Sequence, residues 1–300
     1  MSNDAEAQIA IEILKFLKNG GLYKGYKPVL WSVVESTALA DAEVEYQDHI
    51  SNQIYVSFNL KTEFRGHKNI RILIWTTTPW TIPCNRALAY NPDLDYGIYE
   101  NKEKEKFIIA KDLIDNFTDV TQLHLELIDT FNGKELEKLV AIHPFIELGY
   151  DYDVPLLNAD FVTTEQGTGI VHVAPSHGPD DFALGLKNGI KAENTIDDKG
   201  YYTKIIKHFE GTHIFKADKL IIDELRKFNK LIFTKEYKHS YPHSWRSKAP
   251  LVHRATPQWF ISMTKNELRK NALANIDKTN FFPTIGKNRI QGMIETRPDW

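Results

Sequence analysis

Near the start of the chain, apolar residues recur at Ile9, Ile13, Phe16 and Leu17, the spacing of one helix face. Asn3 followed by Glu6 reads as a capping box, and Gly20-Gly21 stops the run. The stripe predicts an amphipathic helix packed on Leu30, Trp31 and their neighbours. From Ser51 the period falls to two. Ile54, Val56, Phe58 and Leu60 alternate with Tyr55, Ser57 and Asn59, as in a strand with one buried face. Further short β-prone runs lie at 71–75, 107–110, 123–128 and 169–173. Pro79, Pro83, Gly133, Pro144, Pro155 and Gly167 punctuate them as turns. Regular strand–helix alternation is missing. The pattern therefore predicts a mixed α/β chain with a β-rich centre, a curled sheet or barrel carrying peripheral helices. Ile221, Leu225 and Phe228 predict a second helix capped by Asp218, and a third falls within 264–276. The stretch from Tyr237 to Phe260 reads as irregular. The resulting division is a connecting segment at 1–46, a β-rich core at 47–213 and a helical return arm at 214–300.

Composition narrows the class without choosing the function. The 300 residues are 42% hydrophobic and 26% charged, ordinary for a globular chain. No run approaches the roughly 18 apolar residues of a membrane helix. The opening Met1-Ser2-Asn3-Asp4-Ala5-Glu6 lacks the basic and apolar regions of a secretory signal. Cys84 is the single cysteine, which excludes an internal disulfide and a thiolate zinc site and favours a cytoplasmic setting. Lys plus Arg number 37 against 40 acids, a formal charge of −3, so there is no chain-wide footprint for nucleic acid. From Lys235 to Arg254 a local excess of base remains. It reads either as a solvated loop or as a face turned to RNA phosphates. The last residues, Arg297-Pro298-Asp299-Trp300, do not fade into a polar tail, and the chain is expected to be a piece of a longer one.

Two stretches carry candidate chemistry. Trp75-Thr76-Thr77-Thr78-Pro79-Trp80-Thr81-Ile82-Pro83-Cys84-Asn85-Arg86 follows a β-prone run. Its prolines fix φ and remove backbone donors, so hydroxyls and free amides can converge on a small polar ligand or a water. It reads equally as a β-branched strand ending in a rigid turn with the hydroxyls satisfied internally. The second runs from Gly167 through His172-Val173-Ala174-Pro175 to Asp180-Asp181, a buried strand, a loop and two carboxylates placed to cap a short helix. His172 alone is compatible with a structural histidine, and His177 is expected to be the more exposed. Two histidines five apart match no zinc spacing, so no metal is expected. No Gly-x-Ser-x-Gly elbow, dinucleotide fingerprint or phosphate loop is present, and nothing in the sequence lowers the pKa of Cys84.

These motifs, with Lys27-Pro28-Val29-Leu30-Trp31-Ser32, Thr37 to Tyr46, Tyr241-Pro242-His243, Gln258-Trp259-Phe260, Gly286-Lys287-Asn288-Arg289 and the C-terminal four, span the chain in order. Together they resemble the connective, or editing, insertion of isoleucyl-tRNA synthetases, a class I family. Thr76-Thr77-Thr78-Pro79 favours the isoleucine enzymes, since the valine and leucine relatives carry Thr-Thr-Arg-Pro there. The family's His-Ile-Gly-His and Lys-Met-Ser-Lys-Ser signatures are absent, so ATP binding and amino-acid activation are expected only of the full-length enzyme. Many relatives carry zinc-binding cysteines where this chain has Ser244 and Ser247, and hydrogen bonding or packing must replace the metal.

The resemblance implies a β-rich editing domain flanked by connecting helical segments, acting as a hydrolase that needs no cofactor. Its partners would be the 3′ acceptor end of isoleucine tRNA carrying valine and the rest of the synthetase, with no membrane. It implies that Asp181 holds the α-ammonium of the substrate, with Asp180 the less favoured partner by register with the family motif. His172 would limit side-chain size, and Ala174 would line the same pocket. Thr76, Thr77, Thr78 and Thr81 would form the rim for the terminal adenosine, ester and water, shaped by Trp80. Asp181, Thr77 and Thr78 would be the catalytic group. Asn85 would bind substrate or brace the Pro83 turn. The alternative is a module that binds the acceptor end without hydrolysing it.

Overall fold

Residues 2–300 are described in a computed structural model of the chain. In order they form α1 (Asn3–Lys18), β1 (Leu22–Ser32), β2 (Thr37–Ala38), β3 (Val44–Leu60), β4 (Ile70–Thr76), β5 (Ala87–Tyr90), β6 (Asp95–Glu100), β7 (Lys106–Ala110) and α2 (Ile114–Thr121). They continue as β8 (Glu126–Asn132), β9 (Val140–Ile142), β10 (Asp153–Asn158), β11 (Ile170–Val173), α3 (Pro179–Lys187) and α4 (Ile214–Lys227). The last elements are β12 (Leu231–Ser244), β13 (Val252–Ile261), α5 (Leu268–Lys278) and α6 (Ile285–Thr296). They belong to two units, residues up to Tyr26 with Pro257–Trp300, and Lys27–Thr256.

The expected curled sheet or barrel is not formed. The main sheet is an open path of order β11-β5-β10-β9-β3-β4-β7-β6-β8, with β12 added on β3. Closure needs the two end strands to pair with each other. Here β11 pairs only β5, and β8 pairs only β6. Short strands and turns are legible in the sequence; which strands end the path is not, because that depends on long-range pairing.

The flanks are not helical alone either. The stretch read as irregular holds the second half of β12, which pairs β3 from Leu231↔Val56 to Ser244↔Val44, and most of β13. The second helix begins at Ile214 with His213 as its cap, so Asp218 lies inside α4. Ile221 and Leu225 are buried as the periodicity required. In the smaller unit α1 is capped by Ser2, whose hydroxyl accepts from Ala5 N, rather than by Asn3. No residue of α1 is buried.

β3 and β4 form the centre of the larger unit's core. Between Gln53 and Phe58 every residue of β3 is buried, on both faces. The sequence suggested one buried face because Tyr55 and Ser57 look polar. Tyr55 instead packs edge-on against Phe117 of α2, and Ser57 Oγ donates to the Lys230 carbonyl at 3.3 Å. Satisfied polar atoms of this kind can be buried at little net cost. At the far end of β12, Ser244 Oγ lies 3.0 and 3.1 Å from the two oxygens of Glu35, and accepts from Arg246 N at 3.2 Å. Ser247 also hydrogen-bonds Glu35. A carboxylate thus gathers the two serines.

Candidate functional site

β4 ends at Thr76, and Pro79–Cys84 follow as a 3-10 turn with every residue buried. Pro79 enters that turn with φ already set and no N–H to satisfy. Thr78 N donates to Thr76 Oγ1 at 3.1 Å, and the two hydroxyls are 3.1 Å apart. Thr78 Oγ1 lies 3.3 Å from Thr81 Oγ1. Thr81 Oγ1 in turn donates to the Thr78 carbonyl at 2.8 Å and meets His172 Nε2 at 2.9 Å. The hydroxyls are thus largely satisfied by one another, while Thr77 and Thr78 remain half-buried.

β11 reaches this loop because it pairs antiparallel with β5, His172 opposite Leu88 and Val173 opposite Ala87. Gly169 sets the approach: its φ is +74°, and a Cβ there would lie 2.3 Å from Ala110 Cβ. His172 is held at both nitrogens. Asn85 Nδ2 donates to the Ala87 carbonyl at 2.9 Å, which fixes the amide, and lies 3.4 Å from His172 Nδ1. The consistent assignment is a neutral ring accepting at Nδ1 and donating from Nε2 to Thr81. Burial pushes the His172 pKa down to about 4, with the neighbouring His177 adding to the effect. Asn85 Oδ1 is buried without a hydrogen bond, a defect of about 1–3 kcal/mol.

Asp181 stands in the first turn of α3, whose cap is Gly178 and not either aspartate. Its Oδ2 accepts from Ala174 N at 2.7 Å, a bond running back to the strand that carries His172. Burial raises its pKa to about 6, the Ala174 N–H pulls the other way, and Asp180 raises it further. A Cβ on Gly178 would lie 3.3 Å from Asp181 Cγ, so the absence of a side chain there leaves the carboxyl its room. Ala174 is buried and Asp180 exposed.

Other groups near the loop are structural. His177 is half-buried, more exposed than His172. It contacts the His253 carbonyl at 2.9 Å and Thr195 Oγ1 at 2.7 Å, with Trp80 edge-on at 4.7 Å between ring centroids. Cys84 is buried and its thiol is pushed up to about 12, so it stays protonated. Among the described residues no group of three or more His, Cys, Asp or Glu can hold a metal ion. Likewise no helix is long and apolar enough to cross a membrane.

A cleft of about 550 Å³ opens against the loop, lined by Thr77, Thr78 and Trp80, by His49 to Asn52 of β3, by Tyr241 of β12 and by the first turns of α4. His172 and Asp181 are not part of its lining. Asp218 is, a residue that the sequence presents only as a helix cap. Asn52 Nδ2 donates to its Oδ2 at 3.4 Å, its Oδ1 is sealed from solvent, and burial raises its pKa to about 6 against the pull of the Asn52 amide and the Trp80 backbone N–H. A lone aspartate inside an amphipathic helix gives no sequence signal of that position.

The family described as tRNA synthetases class I (I, L, M and V) matches residues 1–300. The isoleucine--tRNA ligase of Pelagibacter ubique (strain HTCC1062) is 58% identical over 307 residues, covering 100% of this chain and 34% of its own length. That of Gluconobacter oxydans (strain 621H) is 44% identical over 327 residues, with the same coverages. The chain therefore spans about a third of the length of these curated relatives. The solved structure of GlLeuRS-CP1 superposes with a TM-score of 0.51 at 18% identity, covering 62% of this chain and 99% of that one, a likeness of fold. With its whole length matched, the chain belongs to the class I tRNA synthetase family of the I, L, M and V group, and the relatives it matches are isoleucine--tRNA ligases.

Proposed function

We propose that the chain hydrolyses the ester of valine wrongly joined to isoleucine tRNA. The need is physical. A pocket shaped for isoleucine also admits valine, and one methylene limits rejection; this very pair is the standard case, at about 150-fold or roughly 3 kcal/mol. A second site too small for isoleucine reverses the selection. Overpacking costs about 1–3 kcal/mol, and displacing a reacting ester by about 1 Å can cost about 100-fold.

The observation that carries the reading is the continuous chain of hydrogen bonds from Thr76 through Thr78 and Thr81 to His172, with Asp181 bonded to the same strand at Ala174. Asp181 Oδ1 would take the α-ammonium in a charge-assisted hydrogen bond. Thr77 and Thr78, the half-buried members of the loop, would orient the ester and the attacking water. Trp80 and Ala174 would shape the site, and Asn85 would act through the His172 ring. His172 is not the base, since both its nitrogens are engaged and its pKa is about 4. Water attacks the aminoacyl carbonyl, the ribose hydroxyl leaves, and catalysis comes from positioning and electrostatic complementarity.

The test is to incubate the chain with valyl and isoleucyl esters of isoleucine tRNA. Selective loss of valine is expected. Binding without hydrolysis of either ester would replace this reading with that of an acceptor-end binding module.

A further inference from the structure

The 3-10 turn after the threonines is held by three rings that the hydrolysis reading does not use. In such a turn each N–H reaches the carbonyl three residues back. Pro83 has no N–H, so the carbonyl of Trp80 loses that partner. A buried carbonyl needs another, and Tyr202, buried in the segment between α3 and α4, donates from Oη to it. Two further rings act on the same turn. His143, just after β9, is buried and bonded at both nitrogens. Phe145 N donates to its Nδ1 at 3.1 Å, which leaves Nε2 protonated and 3.1 Å from the Ile82 carbonyl. Tyr152, just before β10, donates from Oη to the Asn85 carbonyl at 2.6 Å, and the Arg86 guanidinium lies 4.8 Å from the centre of its ring. Donors from three separate segments thus end on Trp80, Ile82 and Asn85. Thr81 and the Asn85 side chain make the two contacts to His172, at 2.9 and 3.4 Å. Tyr150 is the contrast. It stacks on His143 with ring centroids 4.8 Å apart, but its Oη is sealed without a hydrogen bond.

We propose that Tyr152 is a positioning residue for the hydrolysis, the member of a carbonyl clamp with Tyr202 and His143 that sets where Asn85, and through it His172, stands. The inference rests on the reading that the chain is an ester hydrolase, and it names what fixes the geometry of that site. Tyr152 is the most direct of the three, because the residue whose carbonyl it caps is also the residue whose amide meets His172 Nδ1. Without the hydroxyl the Asn85 backbone is free to shift, and the amide and the imidazole shift with it. Tyr202 and His143 act further back, on Trp80 and Ile82, and hold the turn that presents Thr81.

The experiment compares Tyr152→Phe with Tyr150→Phe in the 300-residue chain. Each keeps its ring and loses one buried hydroxyl, but only the first hydroxyl touches the turn. Tyr152→Phe should lower kcat for the valyl ester about tenfold with KM within about twofold, because a shift of part of an ångström misplaces reacting groups without removing a substrate contact. The ratio of kcat/KM for valyl over isoleucyl ester should narrow as well. Tyr150→Phe should keep all three values. The second readout needs no hydrolysis: a proton–nitrogen correlation spectrum of the histidine-labelled chain. In Tyr152→Phe the His172 Nδ1 resonance should move, because the Asn85 amide beside it is released, and in Tyr150→Phe it should stay. An unmoved His172 resonance in Tyr152→Phe overturns the inference. So does a moved resonance with unchanged rates, which would leave the tyrosine ordering the ring without serving the reaction. An equal loss in both variants also overturns it, since packing alone would then explain the effect. Deacylation by the unmodified chain is scored separately. Its absence removes the hydrolysis reading, while the His172 spectrum still decides whether Tyr152 sets that ring.

Discussion

The two flanks of the threonine loop each hold a carboxyl group, and the two are alike by titration and unlike by surroundings. On the β11–α3 flank Asp181 takes the Ala174 N–H; on the β3–α4 flank Asp218 takes Asn52. Burial raises both to about 6. Oδ1 of Asp218 is sealed from solvent, whereas that of Asp181 is not among the sealed atoms. Burial therefore produces the same pKa in a carboxyl that lines the cleft, Asp218, and in one that does not, Asp181. A raised pKa marks both as candidates, and only accessibility separates them.

The largest separation is expected on truncation. On the proposed reading, Asp181→Ala should lower deacylation of valyl-tRNA by about 100-fold or more, since it would remove the charge-assisted contact proposed to orient the ester. Circular dichroism should show the fold retained. Asp218→Asn, which keeps the hydrogen-bonding shape, should change the same rate by no more than a few-fold. Equal drops in the two variants would dissolve the distinction between flanks, and full activity of Asp181→Ala would remove the ammonium contact.

Acid should act through the same contrast. The proposed ammonium grip would require ionised Asp181, whose pKa is raised by burial to about 6 from the ordinary aspartate value of 3.8. Activity is therefore expected to be full above pH 6 and to fall about tenfold per unit below it. Asp218→Asn should keep that inflection. If it abolishes the inflection, Asp218 is the titrating group. His172, neutral down to about pH 4, should add no limb near 6.5.

A smaller effect is expected in selectivity. His172→Ala opens space beside Thr81 and Asn85, and should let the isoleucyl ester be hydrolysed at a rate approaching that of the valyl ester. Comparing kcat/KM for the two esters checks this. A variant that still spares isoleucine would leave His172 as a brace for Thr81 and nothing more. The change also removes one hydrogen bond each from Thr81 and Asn85, which keep their bonds to the Thr78 and Ala87 carbonyls, so a stability decrease of about 1–3 kcal/mol for the two lost bonds is expected in denaturant melts.

How much of this is legible in the sequence depends on whether the signal is local. The Thr76–Asn85 segment combines β-branched residues with two prolines, and the turn it encodes forms. Ile221 and Leu225 disclose the core face of α4, and the alternation after Ser51 discloses β3. Tyr237 to Phe260 is opaque. Its polar β12 residues are stabilised mainly by pairing with β3, a partner far away in sequence. The cleft is hidden for the same reason, since it needs Asn52, Thr78, Asp218 and Tyr241 from four separate elements. The barrel is an over-reading: many short strands do not say whether the first and last can meet.

The finest test of the β11–α3 flank is Gly178→Ala. Gly178 has φ −164°, extended backbone that alanine adopts freely, so no conformational strain is expected. The new Cβ would sit 3.3 Å from Asp181 Cγ, closer than ordinary contact, and must move the carboxylate by a few tenths of an ångström. The Ala174 N–H bond at 2.7 Å resists that movement. A carboxylate that only braces α3 should respond with a small shift in melting temperature and unchanged kinetics. A carboxylate that grips the substrate should also drop several-fold in kcat/KM for the valyl ester, because positioning is sensitive to displacements of this size. Asp218→Asn in the same background should add little further, since it lies on the other flank and the two changes share no described hydrogen-bond partner. Strong non-additivity would show the two sides of the loop to be one mechanical unit.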